Sequence, residues 1–247
     1  EISCSLVGSE MCIRDRSNMR KRRIFWIVSL MLLLATALSF MDRQVLSISI
    51  IRIKDDLHIT DTEYGFINSG FLISYAVMFT LGGMLIDKYG SRLGLAFSVG
   101  FWSLATALHA LSMNAFHFGL FRFLLGVGEG GCFPGAIKAV IEWVPKQKHA
   151  IANGIAIGGS AIGAVVAVPL CAFTLNYTNW RVLFLISGVL GLIWVLCWLR
   201  MTNKYAKEQN QIVNQVSHSL KMSDFVALFR NRAVSYTHLT LPTNSLV

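Results

Sequence analysis

Six stretches of this chain are apolar for long enough to cross a bilayer: Ile24–Ile50, Tyr64–Ile86, Leu93–Ser112, Phe116–Ile141, Ala150–Leu175 and Val182–Leu199. A helix needs about 20 residues at 1.5 Å each to do so. Within each stretch Gly, Ala and Ser are scattered among Leu, Ile, Val and Phe, the mixture that lets membrane helices approach closely. The alternation of a membrane β-barrel, in segments of about ten residues, is absent. The pattern predicts an all-α membrane protein of six transmembrane helices joined by short polar connections.

Composition strengthens this and excludes a soluble domain. Of 247 residues, 54% are hydrophobic and 14% charged, whereas soluble domains average about 25% charged. The 16 Phe and 20 Gly beside 4 Pro also exclude a disordered chain. The five cysteines carry no CxxC spacing and no neighbouring His cluster, so neither zinc nor a redox pair is expected. The net charge of +9 reflects topology. With the amino terminus cytoplasmic, fourteen Lys and Arg fall on the inner side, including Arg20–Arg23, Lys88, Arg92, Lys146, Lys148 and Arg200. Only Arg52, Lys54 and Arg181 fall outside. The positive-inside rule therefore places the amino terminus and everything from residue 200 onward in the cytoplasm of an inner-membrane protein. No basic patch interleaved with aromatics suggests nucleic acid. The histidines at 58, 109, 117, 149, 218 and 238 are too scattered for an enzyme centre.

The ends read differently from the middle. Met19 followed by Arg20-Lys21-Arg22-Arg23 looks like a natural start, while residues 1–18 and 234–247 resemble translated adaptor sequence and are expected to be non-native flanks. This leaves a six-helix bundle over 19–200 and a polar cytoplasmic loop over 201–233 that carries a short amphipathic stretch near Phe225.

Ionisable residues inside spans are costly and point to function. Asp42 and Arg43 lie late in span 1; Arg122, Glu129 and Lys138 lie in span 4. Counted from the inner helix ends, Asp42 and Arg122 stand roughly 27–29 Å up and Glu129 roughly 18 Å up. Arg122 and Glu129 are two turns apart on one face, and Asp42 and Arg43 point about 100° apart. A self-compensating set is expected, with Asp42 paired to Arg122 and Arg43 reaching Glu129 or an anionic ligand. Lys138, near the inner end, is expected to snorkel. Tyr75 in span 2 stands roughly level with Glu129 and is a candidate ligand contact. Ser160 in span 5 stands at a similar height, and its sequence leaves ligand contact and routine helix packing equally open.

Between spans 2 and 3 runs Gly83-Met-Leu-Ile-Asp87-Lys88-Tyr-Gly90-Ser-Arg92. It resembles the cytoplasmic signature of the major facilitator superfamily, with Leu93 where a further basic residue is usual. Gly90 permits the turn, and Asp87 and Arg92 can pair with neighbouring helix ends to hold one side closed. Asp42-Arg43-Gln44, Tyr64-Gly65, Arg122 through Gly130, Phe133-Pro134, Lys138 through Trp143 and Trp180-Arg181 further resemble the anion:cation symporter family, within it the hexuronate and sugar-acid transporters. The resemblance covers about residues 24–200.

That resemblance implies a bundle of two inverted three-helix repeats, the amino-terminal half of a twelve-helix transporter whose other six helices would be its partner. It implies uptake of a small organic anion by proton symport, with no cofactor beyond the coupling proton. Asp42 and Glu129 would be the proton-coupling carboxylates. Arg43 and Arg122 would be their partners or ligands of the substrate anion, Tyr75 and Ser160 substrate contacts, and Gly83, Asp87, Lys88, Gly90 and Arg92 the cytoplasmic gate. Three departures each remove a polar group: Ser39-Phe40 in place of Asn-Tyr, Cys132 in place of Asn, and Ile157-Gly-Gly-Ser160-Ala in place of a more hydroxylated run. They leave room for a less hydroxylated carboxylate. A facilitator, an antiporter for another carboxylate and a non-transporting sensor remain as alternatives.

Overall fold

The computed structural model describes residues 2–203, with side chains at 19 and from 22 onward. The loop and tail readings from residue 204 on lie outside the described residues. The elements are α1 (Ile2–Leu57), α2 (Asp61–Tyr89), α3 (Ser91–Leu108), α4 (Ala115–Glu129), α5 (Cys132–Trp143), α6 (His149–Tyr177) and α7 (Trp180–Asn203), with short 3₁₀ turns at His109–Leu111 and Lys146–Lys148. They supply six spans, because α4 and α5 together make the fourth. The helix α1 begins at Ile2, so the first flank continues into the first span.

Local chemistry sets the ends. Thr60 and Glu63 form a reciprocal capping box at the start of α2, satisfying donors that the first turn would otherwise leave open. Asn114 caps α4 by accepting from the His117 amide at 2.9 Å. Gly90, at φ 80°, supplies the left-handed turn between α2 and α3.

Span 4 is interrupted where the sequence predicts one continuous helix. Residues 130 and 131 form a turn directly after Glu129. The cause is local: Pro134 has no N–H to offer the Gly130 carbonyl one turn earlier. A Cβ on Gly130 would also lie 2.8 Å from the Met78 backbone, so α2 presses on the break.

The spans pack as α1 along α6, α2 along α4 and α3 along α7. Exchanging the first three spans with the last three turns the first of these pairs into the second and maps the third onto itself. Two inverted repeats give this pattern. Glycine makes the contacts close. A Cβ on Gly128 would come within 2.6 Å of Trp102, and one on Gly163 within 2.7 Å of Ala37 Cα. Thr36 Oγ1 donates to the Ala156 carbonyl at 2.5 Å, tying α1 to α6.

Two apolar clusters result. One, at the Lys/Arg-rich end, gathers Phe25, Leu32, Trp102, Trp194 and Trp198. The other, at the opposite end, gathers Val45, Ile53, Phe118, Trp180 and Phe184. The most buried span is the fourth, at 61%, and the next is the first, at 50%; these two carry the intramembrane charges. Large apolar side chains such as Phe66, Phe97, Val165 and Phe173 cover the outside, as a protein solvated by lipid requires.

Candidate functional site

The charged residues stand in the layer between the two apolar clusters. Arg43 donates from Nε to Glu129 Oε2 at 2.9 Å, and its Nη2 lies 2.9 Å from the same oxygen. The Glu129 side chain is wholly buried, while that of Arg43 is 26% exposed, so Arg43 is the member of the pair that an incoming solute can touch. Three rings surround its guanidinium: Tyr75 at 4.7 Å, Phe40 at 4.9 Å and Phe71 at 5.6 Å from centroid to Cζ. Such rings attract a cation through their quadrupoles and restrict its directions of movement.

Phe71 also carries the second guanidinium, with Arg122 Cζ 4.8 Å from its centroid. Arg122 is buried, and its Nε and Nη1 have no hydrogen-bond partner among the described residues. Glu129 Oε1 is likewise without a partner there. Buried donors in this state are expensive, and an arriving acceptor relieves them.

Asp42 differs from the expectation. Among the described residues no ion pair joins it to Arg122. It accepts instead from Ser187 of α7 and from Thr106 Oγ1 of α3 at 3.3 Å. The reason is angular: Arg43 takes the direction toward α2 and α4, and the next-door side chain turns to α3 and α7. Arg122 is as buried as Asp42, and among the described residues no hydrogen bond or ion pair joins the two. The four residues form a quartet whose formal charges cancel, with one direct ion pair, between Arg43 and Glu129.

His109, one turn beyond Thr106, completes the polar side of this layer. It is fully buried, its Nδ1 lies 2.8 Å from the Ala105 carbonyl, and its ring stacks on Phe184 at 4.9 Å. A proton on Nδ1 makes Nε2 an acceptor, and Nε2 is without a partner among the described residues.

At the Lys/Arg-rich end, Asp87 Oδ1 meets Lys138 Nζ at 2.8 Å. Lys138 therefore does not simply snorkel; it closes α5 onto the end of α2. Glu142 accepts from the Ser91 amide at 3.1 Å and from its hydroxyl at 2.5 Å, and Trp143 Nε1 donates to the same hydroxyl at 3.0 Å. Arg92 donates to Thr202 at 3.2 Å and to Asn203 at 3.3 Å, and its carbonyl accepts from Trp198 Nε1. The short 83–92 segment thus binds α2 and α3 to α5 and α7.

Residues 32–243 match the Major Facilitator Superfamily. The chain belongs to that superfamily. It is a multi-pass membrane protein, and the superfamily and the relatives below are transporters rather than enzymes. A hexuronate transporter of Bacillus subtilis (strain 168) is 34% identical over 184 residues, which are 74% of this chain and 43% of the relative. A galacturonate transporter of Dickeya chrysanthemi is 29% identical over 187 residues, covering 76% of this chain and 54% of the relative. The chain thus spans about half the length of the curated relatives it matches. The fold is also that of a bacterial homologue of the human lysosomal transporter Spinster in an inward-facing, unoccupied conformation, with TM-score 0.63, 24% identity, and coverage of 71% of this chain and 42% of that one.

In this major facilitator bundle, Asp42, Arg43, Tyr75, Arg122 and Glu129 fall into one layer. The Ser160 hydroxyl donates to the Ile157 carbonyl of its own helix at 2.7 Å, and among the described residues no hydrogen bond joins it to the other five. Sequence reasoning missed Phe71, Thr106, His109 and Ser187. A usable signal existed for two of them. Thr106 lies six residues from Ser112 and Ser187 five from Val182, both at the outer ends of their spans, which is the level of Asp42.

Proposed function

We propose that this chain forms one half of a proton-coupled symporter that takes up a small organic anion, a hexuronate or related sugar acid, across the inner membrane by alternating access. The observation that carries the reading is the quartet with its two open Arg122 donors. Two cations and two carboxylates balance inside a low-dielectric layer. A substrate carboxylate arriving at Arg43 and Arg122 brings a further negative charge, whose burial is costly unless it is compensated. One proton taken up by Glu129 or Asp42 restores neutrality and permits occlusion. Symport then follows from charge balance: neither the anion nor the proton is stable in the closed layer alone.

The ring-lined guanidinium of Arg43 serves as the first contact, because it is the exposed member of the quartet. Substrate binding draws it from Glu129 and leaves that carboxylate to take the proton. The names of the relatives, hexuronate and galacturonate transporters, support the substrate class. The remaining six helices of the complete protein would close the other side of the site, with the 83–92 segment opening and closing on the cytoplasmic side.

The test is uptake of labelled galacturonate or glucuronate by the full-length protein in proteoliposomes, with and without an inward proton gradient. Accumulation is expected only with the gradient, and gradient-independent uptake would overturn the coupling. In Glu129→Gln, which imitates the protonated carboxyl, gradient-driven accumulation is expected to disappear while exchange across equal concentrations persists. Normal accumulation by this variant removes Glu129 from the mechanism.

A further inference from the structure

A cavity of about 530 Å³ lies apart from the quartet, between α2 and α3, with α4 and the Gly131 turn as its floor. Its volume is within the ~300–1,000 Å³ of ordinary ligand sites, yet its lining is almost wholly apolar, from Met78, Leu85 and Ile86 to Leu93 and Phe97. Gly82, Gly94, Gly128 and Gly131 line its inner wall, where the helices meet too closely for a side chain, and the larger residues of spans 2 and 3 stand around its rim. Leu85, Tyr89, Leu93 and Phe97 are all exposed, so the cavity opens to the surroundings of the bundle rather than to its interior.

Its dimensions match one leaflet. From Tyr89 to Met78 is eleven residues of helix, roughly 16 Å, against about 15 Å for half of a hydrocarbon core. Its mouth is at the Lys/Arg-rich end, at the level of lipid headgroups. There Tyr89 is 59% exposed, and the Lys88 ammonium sits 5.5 Å from its ring centroid. Among the described residues no carboxylate pairs with Lys88. A long apolar slot of leaflet depth with an available cation at its headgroup end is complementary to one kind of molecule.

We propose that this cavity holds one anionic phospholipid, with an acyl chain between α2 and α3 and its phosphate on Lys88. The site is separate from the quartet and does not depend on the substrate assigned above.

The full-length protein, purified in detergent and stripped of its own lipid, is titrated with phosphatidylglycerol or phosphatidylcholine, and the retained lipid is counted by native mass spectrometry. One phosphatidylglycerol is expected to be held about fivefold more tightly than phosphatidylcholine, the effect of one lysine at an anionic headgroup. Lys88→Gln is expected to remove that preference and leave phosphatidylcholine retention unchanged. The pair Leu85→Trp and Leu93→Trp, which fills the slot from its exposed rim, is expected to lower retention of both lipids at least tenfold, with a melt in the same detergent verifying the fold. Equal retention of the two lipids by the unaltered protein overturns the proposal. So does unchanged phosphatidylglycerol binding in Lys88→Gln, and so does a cysteine at Leu93 that cross-links to a later part of its own chain instead of to a photoactivatable lipid.

Discussion

At the scale of single residues, the Arg43–Glu129 pair is asymmetric, and the asymmetry has measurable effects. Removing the acid leaves Arg43 partly exposed, where water can solvate it. Removing the base strands a carboxylate with no exposure at all. Arg43→Gln is therefore expected to cost about 3–5 kcal/mol, as breaking a buried pair does. Glu129→Gln is expected to cost about 1.5–3 kcal/mol, the scale of a hydrogen bond to a charged group. Melting curves in detergent would rank the two, and the loss in Arg43→Gln should shrink in acid, where the stranded carboxyl is neutral. Thr106→Ala should weaken the hold on Asp42 by a similar 1.5–3 kcal/mol or less, its bond being long at 3.3 Å. The Arg43–Glu129 contact was legible in the sequence, because both residues can be placed at workable heights by counting turns. The partners of Asp42 were not. Counting gives height along a helix, whereas the direction in which Asp42 points depends on how the helices are rotated against one another, and that is fixed by packing.

Among elements, the seams between spans are set by glycine rather than by large side chains. Gly128 against Trp102 has no room for a methyl group, while Gly154 has nothing within 4 Å of a would-be Cβ. Gly128→Ala is expected to destabilise the bundle by about 1–3 kcal/mol through overpacking. Gly154→Ala is expected to be neutral or to gain up to about 1 kcal/mol from helix propensity. Thermal unfolding of both variants would decide it, and equal effects would contradict the seam. The six spans themselves were legible, since length and apolarity are properties of the sequence alone. The break in span 4 was not, because hydropathy runs on unchanged through residues 130 and 131. Only the combination of Pro134 with the close approach of α2 ends the helix there, directly beside Glu129.

For the whole molecule, the segment from Gly83 to Arg92 joins the two three-span repeats at one end of the bundle. The Asp87–Lys138 pair is partly exposed on both sides, so its intrinsic strength is of order 1 kcal/mol or less. In the alternating-access cycle proposed above, a contact of this strength would shift the balance between open and closed forms by up to about fivefold without deciding whether the protein folds. Asp87→Asn is expected to raise the reactivity of a reporter cysteine on that side by this factor, and the exchange Asp87→Lys with Lys138→Asp to restore it. The orientation expected from the positive-inside rule can be tested in intact cells. A cysteine at Met113, which is 79% exposed, should react with an impermeant maleimide added outside, and one at Lys146 should not.

The close contact of α1 with α6 has a consequence for how such a protein can diversify. One side of α6, at Gly159 and Gly163, lies against the backbone of α1 with no space for a side chain, so drift at those positions is blocked. The other side, where Gly154 and Gly158 meet nothing and the Ser160 hydroxyl is occupied only by its own helix, carries no such restriction. New hydroxyls, amides or charges can be tried there one at a time while the helix holding Asp42 and Arg43 stays where it is. The seam and the open face of α6 can thereby change at different rates within one helix.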